Sequence, residues 1–279
     1  MTPATIVCIG EMFWDLLPEG RRAGGAPLHA ALQLQRLGQS VQLISRVGDD
    51  ELGRELLAYS AHAGLGTQLI QRSRSHLTGV GKTSVRGHQH IYRLVEPVAW
   101  DYLQYTPEVQ AAVGQARAVV YSSLTARSAA SRETLYRLLP QSRYKVFDVN
   151  LRAPHYRHEV VKYLLRQADL VRLTRAELTE IMGWLGQPAT PATALPWLAG
   201  HFGPQVICLT DSAAGATLWA ANQLLHATGP ALTAPPESGG ADSFLATLLT
   251  GLLQGLPPAD YLRQACAAAP PPGPGSPPQ

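Results

Sequence analysis

The sequence predicts an α/β fold: a doubly wound, mainly parallel sheet with helices on both faces and a small β excursion made from two early segments. Three observations carry that prediction. Short β-branched runs such as Ile6-Val-Cys-Ile9 and Val206-Ile-Cys-Leu209 recur without polar alternation, as strands covered on both faces do. Between them lie segments with apolar residues at helical spacing, opened by capping residues or closed by glycine. One region, residues 78–102, breaks the pattern: Thr83-Ser-Val-Arg-Gly-His-Gln-His-Ile-Tyr-Arg-Leu-Val95 alternates without a helical period, as antiparallel strand pairs do.

Taken in order, residues 6–9 form a buried strand closed by Gly10. Glu11-Met-Phe-Trp-Asp-Leu-Leu17 follows, where Asp15 is a lone acid among large apolar residues and must be exposed or partnered. Gly24-Gly25 with Pro27 opens a helix whose Ala30, Leu34 and Leu37 share one face, and Gly38 stops it. Residues 41–45 read as the next strand. Asp49-Asp50 caps a helix carrying Leu52, Leu56, Tyr59 and Ala63 before Gly64. Past the β excursion the alternation resumes: strand at 118–121, helix at 131–139, strand at 145–149, helix at 157–167, strand at 170–173, helix at 174–182, strand at 206–209, and a hairpin within 216–227. Residues 1–269 read as one domain. The proline-rich run 270–279 can form neither helix nor central strand and is expected to be disordered.

Composition narrows the function. At 279 residues with 46% hydrophobic residues, the chain can build a large core. Charged residues are 15% and net charge is +3, too mild and too scattered for nucleic acid or a membrane surface. Cys8, Cys208 and Cys266 stand far apart in apolar runs and read as buried thiols of a reducing compartment. No basic region precedes the short N-terminal apolar run, and no run approaches the roughly 18 residues of a membrane span. A soluble cytoplasmic protein is expected.

The stretch Glu237-Ser-Gly-Gly-Ala-Asp-Ser-Phe244, running into an apolar helical pattern from Leu245, carries the most chemistry. Small residues let the backbone approach a ligand closely, and a helix start with its unpaired amides favours an anion. Asp242 does not help to bind an anion. It suits a general base that deprotonates a hydroxyl as it attacks a phosphoryl group, and it equally suits the first turn of an ordinary helix.

Together these stretches resemble the ribokinase-like (PfkB) family of sugar and nucleoside kinases. Gly24-Gly-Ala-Pro with its helix to Leu37-Gly38 is similar to the first family signature, and Gly239-Gly-Ala-Asp-Ser-Phe244 to the second. Ile9-Gly-Glu-Met-Phe-Trp-Asp-Leu-Leu-Pro18, Val47-Gly-Asp-Asp-Glu-Leu-Gly-Arg54, Glu96-Pro-Val-Ala-Trp-Asp-Tyr102 and Phe147-Asp-Val-Asn-Leu-Arg152 resemble the fructokinase-like bacterial members. The six motifs are collinear from about residue 6 to 268. The resemblance implies a catalytic group of Asp242 as base with the amides of Gly239, Gly240 and Ala241 around the transferring phosphoryl. It implies sugar contacts from Asp15, Gly24, Gly25, His29, Arg93 and Arg152, and nucleotide contacts from Asn150, Thr210, Ser212 and Gly215. Residues 12–23 and 78–97 would form a β lid that keeps water off ATP. Magnesium would bridge the phosphates, with Glu177 ordering its water, and a monovalent cation is a further candidate. The strand edge of the lid admits a homodimer.

Several of these residues have plainer readings. Asp148 and Asn150 at a strand end suit a turn as well as a ligand. Thr174-Arg-Ala-Glu177 is also a capping box, with Thr174 where the family has asparagine. Glu96 and Trp100 could reach sugar from the lid, although a lone Trp usually packs. His88 and His90 lack a third metal ligand and read as exposed strand residues. The chain also departs from the family. His29 replaces an asparagine that bonds sugar, Ala241 replaces the second glycine, and Pro235-Pro-Glu-Ser238 replaces an Asp-Thr pair. Ser212 and Ala214 replace glycine and lysine, and proline follows Ala269 where an adenine-contacting loop is usual. The expected activity is ATP-dependent phosphorylation of a free sugar, D-fructose at its 6-hydroxyl. Alternatives are a kinase for ribose, a nucleoside or 2-keto-3-deoxygluconate, and a degenerate member that binds sugar without phosphorylating it.

Overall fold

The structure is a computed structural model that describes residues 5–17, 20–86, 89–230 and 240–268. Its residues fall into two compact units. The first runs to Leu32 and takes Ser40–Arg143 and Arg152–Tyr156; the second takes Gln33–Gln39, Tyr144–Leu151 and the chain from Arg157 on.

In the first unit, strands β1 (Ile6–Ile9), β4 (Val41–Gly48), β5 (Ile70–Ser73) and β8 (Ala118–Ser122) are parallel. β1 lies between β8 and β4, with β5 outside β4. Every residue of β1 and β8 is buried, which is why these strands read as continuous apolar runs. Helices α1 (Ala26–Arg36), α2 (Glu51–His62), α3 (Pro107–Gln115) and α4 (Ala129–Leu138) alternate with them. Leu37 falls just past the end of α1, so helical spacing no longer applies to it, and it is 43% exposed rather than part of the buried face. Tyr59 of α2 is 41% exposed and meets Trp14 in a T-shaped ring contact, with centroids 6.1 Å apart.

A second sheet in this unit has the order β3-β2-β6-β7, with β2 Phe13–Leu17, β3 Gly20–Gly24, β6 Gly79–Arg86 and β7 Gln89–Leu94. The two early segments thus do form one excursion. Its outer pairs are antiparallel as predicted, whereas β2 and β6, which come from separate parts of the chain, pair in parallel. Phe13 packs with Leu94, Val98, Trp100 and Leu124 beneath one face. On the other face Trp14 donates from its indole to the Leu52 carbonyl at 3.0 Å, and Arg21 lies over its ring while pairing with Glu55.

The Val47–Arg54 motif is explained by α2. Asp50 is its N-cap, accepting from the Gly53 N–H at 2.8 Å. The same carboxylate accepts from the Thr78 N–H at 2.8 Å and the Thr78 hydroxyl at 2.6 Å, and Thr78 in turn accepts from the Gly48 N–H at 2.9 Å. Partial burial opposes ionisation of Asp50, but these donors outweigh it and hold the carboxyl below its ordinary range. A Cβ on Gly48 would lie 2.6 Å from the Thr78 nitrogen, so the motif glycine makes room for this network.

In the second unit, β9 (Lys145–Asp148), β10 (Leu170–Thr174) and β11 (Val206–Thr210) are parallel. The predicted hairpin, β12 (Ala216–Ala220) and β13 (Gln223–Ala227), adds antiparallel to β11. Helices α5 (His158–Gln167), α6 (Arg175–Trp184), α7 (Pro191–Phe202), α8 (Gly240–Leu253) and α9 (Pro258–Ala267) complete it. α8 buries Phe244, Leu245, Ala246, Leu248 and Leu249, and Gly251 lets Tyr261 of α9 approach where a Cβ would be only 2.6 Å away. The three cysteines are buried and unbridged. No described helix is long and apolar enough to cross a membrane. Gly239, residues 235–238, His88 and the run 270–279 lie outside the described residues.

Candidate active site

The carboxyl ends of β9, β10 and β11 carry one group of the predicted residues. Arg172 interrupts the apolar run of β10 and is buried, which a cation tolerates only with partners. Its Nη1 donates to Asp148 Oδ1 and its Nη2 to Thr210 Oγ1, both at 3.1 Å, and the Thr210 hydroxyl donates to the Leu173 carbonyl at 3.4 Å. One guanidinium therefore joins three strand ends. Burial pushes the Asp148 carboxyl up to about 6, against the pull of Arg172 and with the added repulsion of Glu177 and Asp242. Burial also disfavours the Arg172 charge, but the field of Asp148, Glu177 and Asp242 holds its pKa above the ordinary value. Asp242, half-buried in the first turn of α8, is thus within electrostatic reach of this pair. Gly240 and Ala241 precede it in the same turn, where amides lack helical acceptors.

Two loops complete this group. After β9, Asn150 turns with φ 43°, and the next amide, Leu151 N–H, donates to Glu177 Oε1 at 2.8 Å. Glu177 Oε2 accepts from the Thr174 N–H at 2.7 Å and hydroxyl at 2.9 Å, so the capping box is real. Both carboxylate oxygens are engaged by backbone or capping donors. Among the described residues no three His, Cys, Asp or Glu side chains gather as a metal centre. After β11, residues 211–215 close on themselves through the Asp211 N–H to Gly215 carbonyl bond of 2.9 Å, with Ser212 at φ 41° and Gly215 at φ 95°. Ser212 occupies left-handed space that suits the glycine it replaces. Ser212→Gly is expected to raise unfolding stability by about 1 kcal/mol after the extra chain entropy of glycine is subtracted. Urea denaturation with an unchanged slope checks this; a lower midpoint would refute it.

The other group belongs to the first unit. Asp15, in the middle of β2, stands opposite Arg22 on β3 and Gly81 on β6. A Cβ on Gly24 would lie 2.9 Å from Asp15 Oδ2, so glycine keeps the space beside that carboxylate open. Gly25 has φ 122°, and a side chain there would collide with the Glu11 carbonyl. His29 Nε2 is 2.8 Å from the Ala23 carbonyl, which only accepts, so this nitrogen carries a proton and ties α1 to the end of β3. The imidazole that replaces asparagine is therefore partly committed to the backbone.

One predicted sugar residue, Arg93, stands apart from this group. Across the sheet Arg93 pairs with Lys82 and Lys82 with Leu16, whereas Leu94 pairs with Gly81 and Gly81 with Asp15. Directly opposed residues share a face and neighbours alternate, so exposed Arg93 stands on the face away from Asp15. Arg152 is exposed in the segment after β9, where its carbonyl accepts from the His155 N–H at 2.7 Å. Trp100 follows its plainer reading. It is buried with the Arg127 guanidinium 3.7 Å over its ring, and Arg127 pairs with Asp101 at 2.6 Å. Glu96 is exposed and bonds His155 at 3.2 Å. Sequence reasoning missed Glu11 and Arg172, although each is a charge beside or within a buried strand run, which is a legible anomaly.

The model of the pfkB family of carbohydrate kinases matches residues 6–270. The chain belongs to that family. Among pfkB kinases and their relatives, a fructokinase of Klebsiella pneumoniae is 28% identical, over 93% of this chain and 91% of that one. A 5-dehydro-2-deoxygluconokinase of Bacillus anthracis is 25% identical over 96% and 88%. The fold is shared with a fructokinase of Xylella fastidiosa crystallised with ATP, with a TM-score of 0.79, 24% identity, and coverage of 94% and 85%. The group in the first unit places the Asp15 carboxylate beside Gly24; the group in the second places the α8 start and Asp242 near the Asp148–Arg172 pair.

Proposed function

We propose that this pfkB kinase transfers the γ-phosphoryl group of ATP to the 6-hydroxyl of D-fructose, with Asp242 as general base. The observation that carries the proposal is Asp242 itself: an acid in the first turn of α8, within the field of the buried Asp148–Arg172 pair, where the helix end otherwise favours an anion. As the sugar oxygen bonds to the γ-phosphorus, its proton passes to Asp242 and the bond to the β–γ bridging oxygen breaks, leaving ADP. The amides of Gly239, Gly240 and Ala241 stabilise charge on the transferring group. Asp15, Gly24 and Gly25 hold sugar hydroxyls, while Asn150, Thr210 and the turn from Ser212 to Gly215 serve the nucleotide. Magnesium, when bound, neutralises charge across the phosphates. Glu177 contributes by fixing the Asn150–Leu151 loop. The lid sheet excludes water.

Fructose is favoured over a keto acid because the fructokinase of Klebsiella is the more similar of the two curated relatives, 28% against 25%. The test is ADP release from magnesium–ATP with D-fructose, D-ribose, adenosine, 2-keto-3-deoxygluconate and 5-dehydro-2-deoxygluconate as acceptors. Fructose is expected to give the highest kcat/KM. A keto acid exceeding it overturns the substrate, and fructose-dependent thermal stabilisation without ADP release with any acceptor would instead mark a sugar-binding protein.

A further inference from the structure

Glu11 lies two residues past the end of β1, after Gly10, and is wholly buried. Donors from two other elements engage its carboxylate: the N–H of Ala26, the first residue of α1, reaches Oε1 at 3.2 Å, and the hydroxyl of Ser122, the last residue of β8, reaches Oε2 at 3.0 Å. α1 has no acidic residue in its own first turn. Glu11 therefore supplies from outside the negative charge that a helix start favours. Its main chain closes on the preceding residue as well, since the Glu11 carbonyl fills the space where a Gly25 side chain would be. Backbone and side chain of one residue thus grip Gly25-Ala26 from two directions.

A buried carboxylate is a costly way to hold a loop. Burial pushes the Glu11 carboxyl up to about 7, although Ser122, the Ala26 N–H and the field of Arg127 all favour the charged form. Arg127 is the charged side chain whose field reaches it, and Arg127 is itself paired with Asp101, so Glu11 has no ion-pair partner of its own among the described residues. A glutamine would make similar hydrogen bonds without that penalty. What the carboxylate adds is charge at the α1 start and two full acceptors, and both are lost when it takes a proton.

We propose that Glu11 is a positioning residue of the sugar site, its ionised carboxylate fixing the Gly25-Ala26 backbone against which the sugar is held. This rests on the reading of Gly25 as a sugar-binding residue. The direction follows from the chemistry: sugar affinity is highest when Glu11 is ionised and falls as pH drops through neutrality, while the nucleotide, served by the second unit, is unaffected.

The experiment measures sugar KM, ATP KM and kcat from pH 5.5 to 8.5, with amide exchange at Ala26, for the native protein, Glu11→Gln and Ser122→Ala. Native sugar KM is expected to rise roughly tenfold toward low pH, the scale of a charge-assisted hydrogen bond. Glu11→Gln should show the raised KM at every pH, faster Ala26 exchange, and kcat and ATP KM within about twofold. Ser122→Ala removes a bond that favours the ionised form, so its KM should begin to rise at a higher pH than in the native protein. A helix cap without a role in sugar binding would not move that profile. Unchanged sugar KM in Glu11→Gln overturns the proposal, whether or not Ala26 exchange quickens. Should the native protein phosphorylate no sugar, the kinase reading has failed separately. Sugar affinity by calorimetry across the same pH range, with Ala26 exchange, then decides the role of Glu11.

Discussion

Asp242→Asn is expected to lower kcat by about 10²–10⁴-fold, the usual worth of a general base, with sugar and ATP affinities changed only a few fold. Asparagine matches aspartate in size and keeps an acceptor oxygen, so α8 should start at the same place and the site should fill as before. What it lacks is a basic oxygen to take the proton of the attacking hydroxyl. The substitution also removes one negative charge, which relieves repulsion on Asp148 and withdraws support from the Arg172 cation, two opposed effects on that buried pair. Rate loss and stability should therefore part company: turnover collapses while the melting temperature changes little. Single-turnover ADP formation with calorimetric affinities checks this. Native-like turnover would remove Asp242 from the chemistry, and a parallel loss of binding would give it a binding role instead.

Arg172→Met should cost about 3–5 kcal/mol of folding stability, the scale of stripping one partner from a buried ion pair. Methionine fills much of the volume but leaves Asp148 charged and without its guanidinium, and Thr210 without its donor. The pH dependence has a definite sign. Burial holds the Asp148 carboxyl up at about 6, above the ordinary carboxylate range, so its ionisation costs stability. Stability is fully retained below the unfolded value and is lost as pH rises through the folded one. Without Arg172 the Asp148 carboxyl takes its proton at a higher pH than in the native protein, so the deficit of Arg172→Met should be largest at pH 8, shrink as pH falls toward about 6 and change little below that. Adding Asp148→Asn should recover much of the loss at pH 8. Urea unfolding at three pH values measures all of this, and a deficit independent of pH would mean that Asp148 is not what suffers.

Local chemistry is what a sequence displays, and most of the architecture was legible for that reason. The runs at 6–9 and 206–209 announce doubly covered strands, and Asp50 and Thr174 with Glu177 sit at the spacing that capping demands. Paired glycines and collinear motifs placed Gly24, Gly25 and Asp242 at element ends before any coordinates. What could not be read depends on register between distant segments. Arg93 and Asp15 both belong to the lid segments, yet which face Arg93 occupies is set by the pairing of β2 with β6 and of β6 with β7, and a shift of one residue would reverse it. Asp148 and Arg172 meet because β9 and β10 align in one register. Glu11 lies within a motif, but its partners Ala26 and Ser122 come from two other elements, which no local pattern displays. Leu37 misled for a simpler reason, that the helix ended one residue sooner than its apolar spacing implied.

The tie between Asp50 and Thr78 has a mechanical meaning. Thr78 is the residue before β6, and its amide and hydroxyl are both clamped by the carboxylate that caps α2, while its oxygen holds the Gly48 amide at the end of β4. The four-stranded sheet is therefore bolted at one corner to the rigid frame of its unit. If that sheet swings, Thr78 is the point that stays with the frame, and β6 beyond it acts as a lever whose fulcrum is a single carboxylate.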